Sequence, residues 1–214
     1  MAANAEVRRI GGAEAEGPPV ILASKSSSRR RMLADAGVPH SAEAAQVDEA
    51  EIKLALQRER ATPAEIAETL AELKAQRLSL RNAGALVVGA DQVLECNGVM
   101  FDKPADMDQA AGHLAALSAR RHTLIASACV VRDGTRIWHY QDRATLQMRP
   151  LSEAFIAAYL AAVGERARDS VGAYQLEGLG AQLFTRVEGD FFTVLGLPLL
   201  PLLDFLRNHK VLMT

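Results

Sequence analysis

From Val20 onward, unbroken apolar runs alternate with helix-spaced apolar stripes, and turn residues separate them. Val20 to Ala23 is an apolar run that predicts a buried strand. Ser24 to Ser28 reads as a polar loop, and Arg29 onward as a helix stopped by Gly37. A strand is expected near Ala42 to Val47, running into an acidic stretch, Asp48 to Glu51, that alone reads as a solvated loop. Thr62-Pro63-Ala64-Glu65 is a capping box: Thr62 can cap, Pro63 suits the first helical position, and Glu65 can reach back. The helix should run to about Leu80, with Ile66, Leu70 and Leu73 on its buried side. Ala85 to Ala90 is a near-continuous apolar run, the mark of a central strand covered on both faces, with Asp91 at its C-terminal end.

Further on, Asn97-Gly98 signals a hairpin, and Asp106 to Leu117 a helix. His122 to Val131 and Arg136 to Met148 alternate like strands paired around Asp133-Gly134. Trp138 and His139 fall in that pattern as packing residues. Ser152 caps a helix that Gly164 stops, Ala181 to Val187 reads as a strand, and Leu199 to Asn208 as a final helix. Interleaved strands and helices place the chain in the α/β class with a mixed sheet. Residues 1–18 are small, polar and rich in Gly and Pro, and read as a flexible N-terminal arm before a single domain over residues 19–214.

The chain is 214 residues long, 49% hydrophobic and 23% charged, which excludes wholesale disorder and a coiled-coil rod. With 24 Lys plus Arg against 26 Asp plus Glu, the net charge of −2 argues against nucleic acid held by bulk positive charge, so any anion site must be local. The longest apolar stretch, Phe191 to Leu203, is broken by Gly196, Pro198 and Pro201 and falls short of the roughly 20 residues a membrane span needs. No secretory signal opens the chain, and two distant cysteines, Cys96 and Cys129, suit a reducing compartment, so a cytoplasmic location is expected. The apolar Leu197 to Phe205 segment can serve as core or as a homodimer interface.

Several segments carry candidate chemistry. Ser24-Lys25-Ser26-Ser27-Ser28-Arg29 lies between a buried strand and a helix, where free N–H groups, hydroxyls and an arginine fork can bind phosphate. The same residues also read as a serine-rich helix cap with a solvated basic face. There is no GxxxxGK[ST], so a P-loop is absent. Asp91, in Gly89-Ala90-Asp91-Gln92, sits where open α/β sheets place their ligands, or merely caps a turn. Glu49 lies in the acidic run that could hold Mg²⁺ through oxygen ligands. Lys103, before Pro104, and Lys74, on its helix, can reach a phosphate or remain surface lysines. The five histidines show no zinc-ligand spacing, and neither a GxSxG elbow nor a catalytic triad stands out.

Taken in order, these segments resemble the Maf family of nucleoside triphosphate pyrophosphatases over about residues 20 to 208. The family's L-A-S-x-S-P-R-R is similar to Leu22 through Arg29, its G-(A/S)-D-(T/Q) to Gly89 through Gln92, and its K-P to Lys103-Pro104. Its S-G-x-x-H resembles Ser118 through His122, its G-A-Y-x-x-x-G resembles Gly172 through Gly178, and its closing G-D-x-x-x-V-x-G-L-P is complete from Gly189 to Pro198. Ser27 replaces the usual proline, Ser28 stands where a bulky or basic residue is common, and Ala119 replaces a glycine.

The resemblance implies a deep-clefted mixed α/β fold shared with the inosine triphosphatase type. It also implies divalent-metal-dependent hydrolysis of a nucleoside triphosphate to the monophosphate and pyrophosphate, with Mg²⁺ or Mn²⁺ as the cofactor. Asp91 then matches the proton acceptor, and Ser24, Arg29, Lys74 and Lys103 match phosphate-contacting positions. Glu49 and Asp91 match residues near the metal, and Ser28, Gln92 and Glu177 match positions that divide the family by base. Gln92 and Glu177 look like the branch that takes 7-methyl-GTP; a thymidine or uridine branch would carry Thr and Gln there. A non-catalytic nucleotide-binding regulator of cell division is the alternative, distinguished by the absence of turnover.

Overall fold

The computed structural model describes residues 17–214. Seven strands form one mixed sheet: β1 (Val20–Leu22), β2 (Ser41–Ala42), β3 (Leu86–Cys96), β4 (Val99–Phe101), β5 (Arg121–Arg132), β6 (Thr135–Met148) and β7 (Phe184–Glu188). Their order is β2-β1-β3-β5-β6-β7, with β4 on the free side of β3. β1 runs parallel to β2 and β3, and the remaining pairs are antiparallel. The helices are α1 (Ser27–Asp35), α2 (Glu49–Arg58), α3 (Pro63–Ser79), α4 (Met107–Leu117), α5 (Glu153–Val163), α6 (Phe191–Val194) and α7 (Leu199–Asn208). Short 3₁₀ turns occupy much of the stretch between Gly164 and Leu183.

Strand alternation sorts the core. On β3, Leu86, Val88 and Ala90 face α1 and α7, while Leu94 joins α4 and α5 at the other end of the same sheet face. Val87 and Val93 project to the opposite face, where Ala71, Ala75 and Leu78 of α3 pack at one end and Ile66, Ala67 and Leu70 at the other. Leu197, Leu199, Leu202, Phe205 and Leu206 are buried in this core, while Leu200 and Asp204 of the closing segment are exposed. The capping box forms as expected, with the Thr62 N–H donating to Glu65 Oε2 at 2.7 Å and Glu65 N–H to Thr62 Oγ1 at 3.3 Å. Asn97-Gly98 and Asp133-Gly134 both take positive φ and close two-residue hairpins.

The differences from expectation are local. The helix after the serine loop starts at Ser27, because Ser26 caps it by accepting from Arg29 N–H at 3.3 Å. The strand near Ala42 shrinks to Ser41–Ala42, and the acidic run is no loop but the first turn of α2, capped by Asp48. Leu73 is only half-buried; Ala67, Ala71, Ala75 and Leu78 share the packed face of α3 with Ile66 and Leu70. The last strand begins at Phe184 instead of Ala181, after a 3₁₀ turn. Of the expected arm, residues 1–16 lie outside the described part. Gly17 and Pro18 are half-buried, and a Cβ on Gly17 would stand 2.6 Å from the His209 carbonyl oxygen, so the packed domain includes them. Among the described residues no helix is long and apolar enough to cross a membrane.

Two of the distant sequence elements meet in the core. His122 Nε2 lies 2.8 Å from the Tyr174 hydroxyl, and both side chains are buried. Burial pushes the His122 pKa down to about 4 from 6.5. The folded state therefore keeps His122 neutral while the unfolded chain takes up a proton as pH falls below about 6.5, so this stabilisation is lost on the way down to about 4. Between about pH 7.5 and about pH 5 the wild type should lose roughly 2 kcal/mol more stability than His122→Gln, by urea midpoints. Parallel pH profiles would show that His122 does not supply this dependence.

Candidate active site

The cleft opens where the sheet lacks a neighbour. β1 ends at Leu22, opposite Val88, and β4 joins β3 only from Leu94 onward. Gly89 to Val93 thus have no strand on that side. Asp91 does not sit at the expected strand end: pairing to β5 carries β3 on to Cys96, and Asp91 lies mid-strand, in the gap. The gap supplies the open edge that a strand end would have given.

Gly89, Asp91 and Val93 project toward α3. A Cβ on Gly89 would lie 2.0 Å from the Ala71 carbonyl oxygen and 2.9 Å from the Ala75 Cβ. Glycine therefore lets the helix backbone lie against the strand, and Lys74 reaches across to donate to Asp91 Oδ1 at 2.6 Å. The same ammonium is 2.9 Å from Glu49 Oε2. The Lys74 and Asp91 side chains are 8% and 10% exposed. Glu49 is more open, and stands at the N-terminus of α2, where the helix dipole favours a carboxylate. Burial pushes the Asp91 carboxyl above the usual carboxylate range; Lys74 and Arg29 pull it back, and Glu49 adds to the rise.

Arg29 closes the other side of the gap. Its Nη1 donates to the unpaired Ala90 carbonyl at 2.9 Å and to Ser24 Oγ at 3.3 Å, and its Nε donates to the Gly196 carbonyl at 2.8 Å. Nη2 makes no hydrogen bond among the described residues. Burial lowers the Arg29 pKa, while Asp91 and Glu49 oppose the shift. Ser24 Oγ also accepts from Ser26 N–H at 3.1 Å, so the serine-rich cap and the anion-binding reading describe one loop. Lys103 is an exposed residue on the cleft wall and has no ion pair or hydrogen bond among the described residues. The protein packed beside its ammonium lowers its pKa, as does Arg29, with Glu49 and Asp169 acting the other way.

Gln92 points to the opposite sheet face from Asp91. Its Nε2 donates to the Thr193 and Val194 carbonyls at 2.9 and 3.0 Å, which uses both amide hydrogens and leaves Oε1 as an acceptor. Oε1 lies 3.4 Å from where a Cβ on Gly196 would stand. At the mouth, Ser28 Oγ donates to Glu177 Oε1 at 3.4 Å, joining residues 149 apart in sequence. Ser24, Ser28, Arg29, Glu49, Lys74, Asp91, Gln92 and Lys103 all line one cleft of about 700 Å³; Glu177 reaches it only through Ser28. Lys53, Asp102 and Asp169 also line it and were not anticipated. Lys53 had a signal: Asp48 followed three residues later by Glu51 is a helix start, and a helix puts Lys53 one turn after Glu49.

Residues 19–209 match the family described as Maf-like protein. The chain belongs to the Maf family. It is 54% identical over 189 residues to a protein of Paramagnetospirillum magneticum named nucleoside triphosphate pyrophosphatase, covering 88% of this chain and 97% of that one. A protein of Rhodospirillum rubrum with the same name is 48% identical over 197 residues, covering 92% and 98%. A Rhizobium johnstonii protein named 7-methyl-GTP pyrophosphatase is 48% identical over 191 residues, covering 89% and 96%. These Maf relatives match over nearly their whole lengths, so the resemblance drawn from short motifs extends through the domain.

The Maf site depends on the contact at Gly89. Gly89→Ala should cost roughly 1–3 kcal/mol or more by overpacking and should lower turnover by moving Lys74. Gly112→Ala, on the exposed side of α4 with open space around the added methyl, should instead stabilise by about 0.5–1 kcal/mol. Denaturant midpoints and turnover check both. An unchanged Gly89→Ala protein would show that the close helix approach is dispensable.

Proposed function

We propose that this protein hydrolyses a nucleoside triphosphate to the monophosphate and pyrophosphate, with Asp91 as proton acceptor. The observation that carries this reading is a buried carboxylate at the floor of a cleft whose walls carry Arg29, Lys74 and Lys103. A polyphosphate repels an incoming hydroxide, so the site must neutralise charge and aim a water. The cations supply neutralisation in a cleft partly walled off from solvent, where they act more strongly than in bulk water. Desolvation makes Asp91 more basic than an exposed aspartate, and Lys74 fixes its orientation, leaving its second oxygen for a water. Ser24 and the Nη2 of Arg29, which makes no hydrogen bond among the described residues, would meet phosphate oxygens.

A divalent cation, Mg²⁺ or Mn²⁺, suits the donor set. Glu49 and Asp91 are hard oxygen donors that each give one oxygen to the Lys74 ammonium, which leaves the second oxygen of each for a cation. Among the described residues no group of three or more His, Cys, Asp and Glu is arranged to hold a metal, and Mg²⁺ is usually held by one or two carboxylates with waters and substrate phosphates. Bound there, the ion would polarise phosphate oxygens and lower the pKa of a coordinated water. Two buried free cysteines, Cys96 and Cys129, fit action in the reducing cytoplasm.

For base choice the preferred reading is guanine, and 7-methyl-GTP in particular. Gln92 Oε1 and Glu177 present acceptors, and the guanine N1–H and exocyclic amine are adjacent donors. A methylated guanine adds positive charge that Glu177 would favour.

Asp91→Asn should keep the fold and lose about 10²–10⁴-fold in turnover. Because the wild-type base must be unprotonated, kcat/KM should fall as pH drops through a pKa above the ordinary aspartate range. Pyrophosphate should be the product; release of orthophosphate, or near-wild-type rates in Asp91→Asn, would reject the assignment. Wild type should prefer 7-methyl-GTP over GTP, UTP and dTTP, and Glu177→Gln should narrow that preference. Equal wild-type rates on all four would remove the base reading.

A further inference from the structure

Helix α2 buries no residue fully, and two ion pairs tie it over the cleft: Glu49 to Lys74, and Lys53 to Asp102. Glu49 and Lys53 are one turn apart, and both line the cleft. The two members of the second pair differ in their surroundings. The Lys53 side chain is 13% exposed, whereas that of Asp102 is 71% exposed. A pair with one member in open solvent contributes only about 0–1 kcal/mol, so Asp102 can be exchanged for another anion at little cost.

The cleft also needs another cation. Lys74 is already divided between two carboxylates, and Arg29 gives Nε and Nη1 to backbone carbonyls and Ser24. Lys103 alone of these three is without a partner among the described residues. The partners of Arg29 are neutral, so its charge stands with that of Lys103, and a triphosphate tail outweighs both. We infer that Lys53 is a further phosphate-contacting residue, paired with Asp102 until substrate enters and then passed to the polyphosphate tail. This rests on the pyrophosphatase reading and extends it. Asp102 then acts as a competitor for the ammonium and as a repulsive charge toward the tail.

The opposed signs make this testable on the full chain. Lys53→Met, Asp102→Asn and the double variant are compared with wild type by pyrophosphate-release kinetics and by calorimetric binding of inorganic tripolyphosphate. Lys53→Met should raise KM and weaken tripolyphosphate about tenfold, the loss expected for one charge-assisted hydrogen bond, with a smaller change in kcat. Asp102→Asn should tighten tripolyphosphate and lower KM, and the double variant should lose most of that gain while binding no more weakly than Lys53→Met. If the pair is only a strut holding α2, both single variants weaken binding alike, and the inference is overturned. Normal binding by a folded Lys53→Met protein overturns it as well, while leaving the pyrophosphatase reading intact. If wild type releases no pyrophosphate yet tripolyphosphate binding follows the expected pattern, Lys53 stands and the reaction assignment falls.

Discussion

One ammonium group organises this molecule. Lys74 Nζ sits 2.6 Å from Asp91 and 2.9 Å from Glu49, joining a central strand, the helix across it and the start of α2. Neither Lys74 nor Asp91 could be buried alone, because an unpaired charge in such a place costs several kcal/mol. Together they are tolerated, and the surplus carboxylate leaves the cluster net negative beside Arg29 and Lys103. That alternation of charge suits a polyphosphate attended by a cation. The cluster exists only because Gly89 carries no side chain: the α3 carbonyl at Ala71 occupies the space a Cβ would take.

The second constraint is the interrupted edge of β3. A strand of 11 residues needs partners on both sides, but β1 covers only its first residues and β4 only its last. The carbonyl of Ala90 in the gap is satisfied by Arg29, whose other bonds fix the Gly196 loop and Ser24. The group that repairs the sheet edge is therefore also the group that shapes the cleft. Fold and site share this residue, so a change at Arg29 would act on both at once.

Much of this was legible because it rests on short-range rules. The capping box at Thr62, the Asn97-Gly98 and Asp133-Gly134 turns and the apolar run into Asp91 are local patterns, and they formed. What failed depended on partners far along the chain. The acidic run became α2 because Asp48 caps it and Ile52 and Leu56 pack near Ile66 and Leu70, contacts that an acidic composition hides. Asp91 proved to lie mid-strand because β5 pairs far past it, and no periodicity in β3 marks where a neighbouring strand stops. Of the site, the residues carried by motif resemblance came together, with Glu177 at the margin. Lys53 escaped notice because its place in the cleft follows only from the helix on which it sits.

The energetics argue for chemistry over simple nucleotide capture. A binding module could neutralise phosphate with exposed lysines and main-chain donors, at little cost to its own stability. This protein instead keeps a carboxyl at Asp91, where burial raises its pKa while Lys74 and Arg29 favour its charged form against desolvation. A protein under no demand for a base would be better served by an amide at that position, which could hydrogen-bond without a charge. A costly buried carboxylate beside several cations suits proton abstraction, and it stands against α3 because Gly89 lets that helix approach β3.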